Sequence, residues 1–346
     1  MKSLTAIAAL CLVAAADTPP TYDWGSAPDP AAPEYARSRQ ICRSVHDSAP
    51  PAADRPDAAA TRALRGCDSE ALYYGIGRPA DPVRARQCAF LEAQRDDPGV
   101  LGGPAMLMTI YANGVGATRD LDLATHYACQ IEGAPAESDG RVTHLAELAR
   151  QHWAGRDFGF CADITSGLAR GYCADHEARM AGARREAALT GLTRGWTPAE
   201  RQAFAGVRRT LDAFAEAEGA AQDATGTARA AIAIAAEEAV RTAFLDVMQR
   251  LAAGRGPASS AGQYRAADAR LNVVYARTMR DLAAQGDGGV GAPTAAATRG
   301  AQRAWLRYRD ALIDFAARKF PGVTRDTLAT WLTTQRIQQL SQPVDG

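Results

Sequence analysis

Lysine is nearly missing from this chain: only Lys2 and Lys319 occur, and the other 37 of its 39 basic residues are arginine. Net charge is missing too, because 39 acidic residues balance them. With no global field, nothing draws the chain as a whole to nucleic acid or to a membrane surface. Alternating runs rich in Val, Ile and Thr are absent, which argues against a sheet. No apolar run approaches the roughly 20 residues needed to span a bilayer. There is no CxxC and no Cys/His spacing of zinc type. Neither HExxH nor GxSxG occurs. The glycine run at Gly286 lacks the Gly-Lys-Ser/Thr that would make it a phosphate loop. The expectation is therefore a protein with no cofactor, no metal and no catalytic residue.

What is present begins with an export-type leader. Lys2 precedes an apolar run, Leu4 to Ala16, whose 13 residues fit the roughly 7–15 of a signal-peptide core. Ala14-Ala15-Ala16 offers small residues for cleavage before Asp17. Residues 17–40 read as a linker, with Pro19, Pro20, Pro28, Pro30 and Pro33. Setting Cys11 in the leader aside, six cysteines remain: Cys42, Cys67, Cys88, Cys129, Cys161 and Cys173. An even number in an exported chain implies three disulfides, with 15 possible pairings. Neighbour pairing (42–67, 88–129, 161–173) is the first expectation, and Cys67–Cys88 is its main rival. After cleavage no membrane span remains, and the expected location is periplasmic or secreted.

From there the chain reads as helical throughout. Long stretches of Ala, Leu, Arg and Glu favour helix. Breaks rich in Gly, Pro and Ser fall at 252–262 and 286–300. Thr197-Pro198-Ala199-Glu200 is a capping box with proline in the first turn. The expected class is all-α: a short helical-repeat solenoid followed by antiparallel helical bundle units.

An internal repeat supports the solenoid. Gly75, Gly77, Asp81 and Ala85 recur 39 residues later as Gly114, Gly116, Asp120 and Ala124, and Gly155 marks a third, degraded unit. Each unit reads as helix, glycine turn, Asp-started helix; glycine permits the turn and Asp favours a helix start. With Tyr111 before the second turn, the pattern resembles the Sel-one-like repeat, a relative of the tetratricopeptide repeat. That resemblance implies a small curved solenoid over residues 41–160 whose groove binds protein or glycan ligands.

Three motifs mark the C-terminal part. They are Ala267-Asp268 with Leu271-Asn272 and Tyr275; Ala301 to Asp310, which includes Gln302, Arg303, Trp305, Tyr308, Arg309 and Asp310; and Leu332-Thr333 with Arg336 and Leu340. Ala301, Ala304, Trp305, Tyr308, Leu312 and Phe315 fall on one helical stripe. Three amphipathic helices joined by short connections predict a small bundle in which Trp305 and Tyr308 are core. Asp310 is placed to pair with Arg303 or Arg307, which suits an ion pair better than acid catalysis.

These residues resemble the LprI-like lysozyme inhibitor family of bacterial envelope proteins. A fainter copy precedes them: Cys161 and Cys173 as a paired-cysteine lead-in, then Ala203 to Gly219, with Phe214 standing where Trp305 does. The expected organisation is a degenerate unit over 161–252 and a full one over 263–341. The resemblance implies a protein that binds another protein, possessing a surface rather than a reaction. The runner-up is an envelope scaffold that uses the repeat groove. Charge bears on the choice of surface. Residues 17–150 carry 13 Arg against 19 acids, a net of −6, and residues 262–346 carry 12 basic residues against 7 acids, a net of +5. A basic lysozyme is matched better by the acidic front half. Of the five histidines (His46, His126, His144, His152 and His176), only His144 and His152 have a spacing that shares a helical face, and a structural role is expected for them too.

Overall fold

The computed structural model describes residues 22–26, 33–222, 225–255, 259–285 and 293–341. The expected leader with Cys11, residues 17–21 and 27–32 of the expected linker, and the Gly286 run lie outside the described residues. Among the described residues there are thirteen α-helices and no strand.

The first seven helices build one core. They are α1 (Ala36–Ser44), α2 (Ala58–Ala63), α3 (Ser69–Tyr74), α4 (Pro82–Glu92), α5 (Gly103–Asn113), α6 (Leu121–Cys129) and α7 (Pro135–Arg150). Helix α1 starts inside the stretch expected as linker, and Trp24 before it is buried, with its indole N–H donating to Ser38 Oγ at 2.9 Å. Helices α3 and α4 form one hairpin, α5 and α6 the next, and α7 packs on α6. The two hairpin turns are built alike. Gly75 and Gly114 end α3 and α5 in the left-handed conformation, with φ of 74° and 63°. Asp81 and Asp120 then cap α4 and α6 by accepting the N–H of Arg84 and Leu123. In each turn the capping Asp also donates its own N–H back, to Leu72 O at 2.8 Å or to Tyr111 O at 3.1 Å. Proline at the start of α4 suits a position where the N–H has no helical acceptor.

The third unit departs from this pattern. Trp153 stands where the first glycine would, His152 takes the positive φ instead (52°), and no second α-helix follows. Residues 152–159 run without helix to a short 3-10 turn, Phe160–Asp163.

The remaining helices are α8 (Gly167–Thr193), α9 (Pro198–Ala220), α10 (Arg229–Ala252), α11 (Ala261–Gln285), α12 (Ala295–Lys319) and α13 (Arg325–Ser341). Thr197 and Glu200 form the capping box at the start of α9. The last three helices do not close into a bundle of their own. Helix α12 packs chiefly on α9, α11 on α13, and α10 on both α8 and α9. Their apolar faces form a single core running from Leu189 on α8 to Ile337 on α13. The reason lies in the stripes themselves. Phe204, Val207, Leu211 and Phe214 of α9 face the Trp305–Phe315 stripe, and Phe214 stacks on Tyr308 at 5.6 Å. Helix α11 buries only Leu271 fully, too little to hold α12 by itself.

The disulfides are Cys42–Cys129, Cys67–Cys88 and Cys161–Cys173. The last agrees with neighbour pairing; the first two replace 42–67 and 88–129. The cause is the placing of α1 against α6 and α7, which carries Cys42 to the far end of the repeats.

Candidate functional site

The C-terminal motifs assemble into two polar clusters set in apolar packing. In the first, Arg309 on α12 reaches Asp310 at 2.8 Å and Asp268 on α11 at 3.8 Å, with its guanidinium 5.0 Å from the Trp305 ring. Asp310 thus pairs with its neighbour Arg309, and Arg303 and Arg307 stay exposed, with no ion pair among the described residues. A helical spacing argument overlooks this, because Arg309 bends along the helix to meet both carboxylates.

In the second cluster Arg336 on α13 is 1 % exposed. Its Nε donates to Gln302 Oε1 at 3.0 Å, one Nη donates to Gln339 Oε1 at 3.1 Å, and the same Nη lies 2.7 Å from Glu218 on α9. The Phe214 ring lies 5.4 Å below the guanidinium. Burial pulls the Arg336 pKa down, and Glu218 opposes that pull. Glu218 carries no sequence signal; it belongs to the preceding unit and is found only through the fold. Trp305 and Tyr308 are buried, and burial alone pushes the Tyr308 hydroxyl well above the ordinary tyrosine range. Leu271 is buried, Tyr275 half-buried and Asn272 exposed. Apart from the exposed Asn272 and Arg303, these motif residues meet one another and the core, and among the described residues they line no open cavity. The hollow beside Trp305, Tyr308 and Arg336 has a volume of about 20 Å³, room for a single water.

The second and third repeat units grip the chain's own segment 153–166. Asn113 on α5 holds the Phe158 peptide on both sides, donating to its O at 2.8 Å and accepting from its N–H at 3.0 Å. Arg119, between α5 and α6, donates to Trp153 O and Gly155 O. On α7, Glu137 accepts the N–H groups of Thr165 and Ser166, and His144 lies 3.0 Å from Asp163. Burial works against the Glu137 carboxylate, yet those hydrogen bonds hold its pKa below the ordinary value. Helix α8 then crosses α3, where His176 contacts Glu70 at 2.5 Å and Arg179 joins Glu70 and Asp68. His144 and His152 do not share a helical face, because α7 ends at Arg150.

Among the described residues one group of potential metal ligands, Cys67, Cys88 and Glu92, lies within 4.8 Å. Its two sulfurs are bonded to each other, so neither is a thiolate ligand.

The described residues thus form an all-helical protein stapled by three disulfides, in which no helix is long and apolar enough to cross a membrane. Residues 257–340 match the family described as Lysozyme inhibitor LprI, and that part of the chain is LprI-like. The match covers 84 of 346 residues (340 − 257 + 1 = 84). Comparisons with curated proteins and with solved structures find no match.

Proposed function

We propose that this chain is an exported, non-catalytic envelope protein that binds lysozyme and inhibits it by surface complementarity. The observation that carries the reading is the LprI match over 257–340, in a segment whose motif residues Asp268, Arg309, Asp310 and Arg336 are engaged in ion pairs. Inhibition requires a fitting surface and no reacting group. Three disulfides suit an oxidising compartment, periplasmic or extracellular. On this reading the hairpins of 41–160 are Sel-one-like repeats and 161–252 is a degenerate LprI-like unit. The Asp268, Gln302, Arg309 and Arg336 motif positions then specify the fold. The scaffold reading has less support, because segment 153–166 lies against the second and third of the units that would supply its groove.

The test is a turbidity assay of cell-wall lysis by a basic animal lysozyme, with and without the oxidised full chain after leader removal. Protection at micromolar protein is expected. Lysis at the uninhibited rate overturns the reading.

A further inference from the structure

An open cleft of about 430 Å³ separates the loop 93–102 from the first half of α8. That loop joins α4 to α5 and has ten residues, against five (130–134) between α6 and α7. Long loops on a rigid scaffold are common carriers of binding function. The scaffold here is rigid. The Cys67–Cys88 disulfide forms part of the lining, and the buried Glu92 carboxylate accepts the N–H of Ser69 at 3.0 Å and of Gly103 at 3.1 Å. It thereby ties α4 to the starts of α3 and α5.

The lining has a definite chemistry. Asp68, Glu70, Glu92, Asp97 and Asp175 face Arg95 and Arg179. One guanidinium is already seated there: Arg179 of α8 lies on Asp68 and Glu70. Asp97 accepts the N–H of Gly99 at 2.9 Å, and Asp175, one helical turn before Arg179, adds its charge to the field that holds that guanidinium. Beside these acids stand Tyr172, 41 % exposed, and Val100, 36 % exposed. Apolar walls beside the exposed Asp97 and Asp175 carboxylates complement a long cationic side chain, whose stem is apolar and whose head is charged.

We infer that this cleft is the docking site for an arginine or lysine carried on an exposed loop of a basic protein. The inference rests on the inhibitor reading for the identity of that protein as lysozyme. The net charge of −6 over residues 17–150 steers a basic partner to this half of the chain.

The experiment compares the oxidised full chain with an Asp97→Lys/Asp175→Lys variant, a Tyr172→Ala variant, and an Asp122→Lys/Glu132→Lys control. The control makes the same change in net charge in the same half, away from the cleft. Circular dichroism and melting confirm that each is folded. Binding is measured to a basic animal lysozyme and to a fluorescent hexa-arginine peptide at low salt. The cleft double variant is expected to weaken binding about tenfold or more, Tyr172→Ala less, and the control by no more than about threefold. Equal losses in cleft variant and control overturn the inference, since only the general field would then act; so does unaltered binding by the cleft variant. If wild type gives no protection from lysozyme yet the peptide still discriminates cleft from control, the cleft stands and the inhibitor reading falls. If wild type protects and the cleft variants protect equally, the reading stands and the cleft falls.

Discussion

Arg336 and Glu218 lie 118 residues apart in sequence and 2.7 Å apart in space, joining α13 to α9 inside the C-terminal core. Glu218→Gln leaves a buried guanidinium facing a neutral amide. Breaking such a pair from one side costs about 3–5 kcal/mol. A Glu218→Leu/Arg336→Met variant removes both charges and is expected to recover most of that loss. Urea unfolding followed by the fluorescence of Trp305 and Trp196 measures both.

The disulfides are expected to contribute unequally. Cys42–Cys129 closes a separation of 87 residues and Cys161–Cys173 one of 12. Cys67–Cys88 lies inside the longer loop and shortens it. Chain entropy then favours the long bridge by about 1.5 kcal/mol. Cys42→Ser/Cys129→Ser should therefore lower the melting point more than Cys161→Ser/Cys173→Ser, measured under identical oxidising conditions.

Gly77 and Gly116 occupy matching turn positions, both with positive φ (69° and 91°). A Cβ on Gly77 meets open space, whereas one on Gly116 falls 2.4 Å from the carbonyl oxygen of Pro82. Gly77→Ala carries only the conformational cost of about 1–2 kcal/mol. Gly116→Ala adds a backbone clash between the two hairpins and should cost clearly more. Paired denaturation curves decide it.

His126 on α6 carries a pH dependence. Its Nδ1 lies 3.1 Å from Val45 O and its Nε2 2.8 Å from the Gln130 amide nitrogen. That pattern fits a neutral ring with the proton on Nδ1. Burial lowers its pKa, against the pull of the Val45 carbonyl. The unfolded chain thus takes up a proton before the folded one does as pH falls. Stability is lost from about pH 7.5 downward through the ordinary histidine value and levels off below the lowered one. In His126→Asn the difference in melting temperature between about pH 7.5 and about pH 5.5 should shrink. An unchanged difference assigns the dependence to other groups.

Much of this was legible in the sequence, and the parts that were not share a cause. Periodicity located the stripe through Trp305, Tyr308, Leu312 and Phe315, all of which are buried. Local chemistry located the Thr197 box and the Gly75 and Gly114 turns, because caps and turns are settled by neighbours a few residues away. A stripe, however, does not name its partner. Apolar attraction has no direction, so the sequence could not say that α12 meets α9 before α11. The same holds for Cys42, whose partner depends on where α1 comes to rest. Arg336 was named by its motif, but its burial beside Glu218, Gln302 and Gln339 depends on packing that spacing does not encode.

Helix α8 has 27 residues, about 40 Å of continuous helix. Its Cys173 belongs to the front core and its Leu189 to the rear one. A single rod with one end set in each core behaves as a spar. The front core and the core that holds the LprI-like helices are thus joined by one uninterrupted helix.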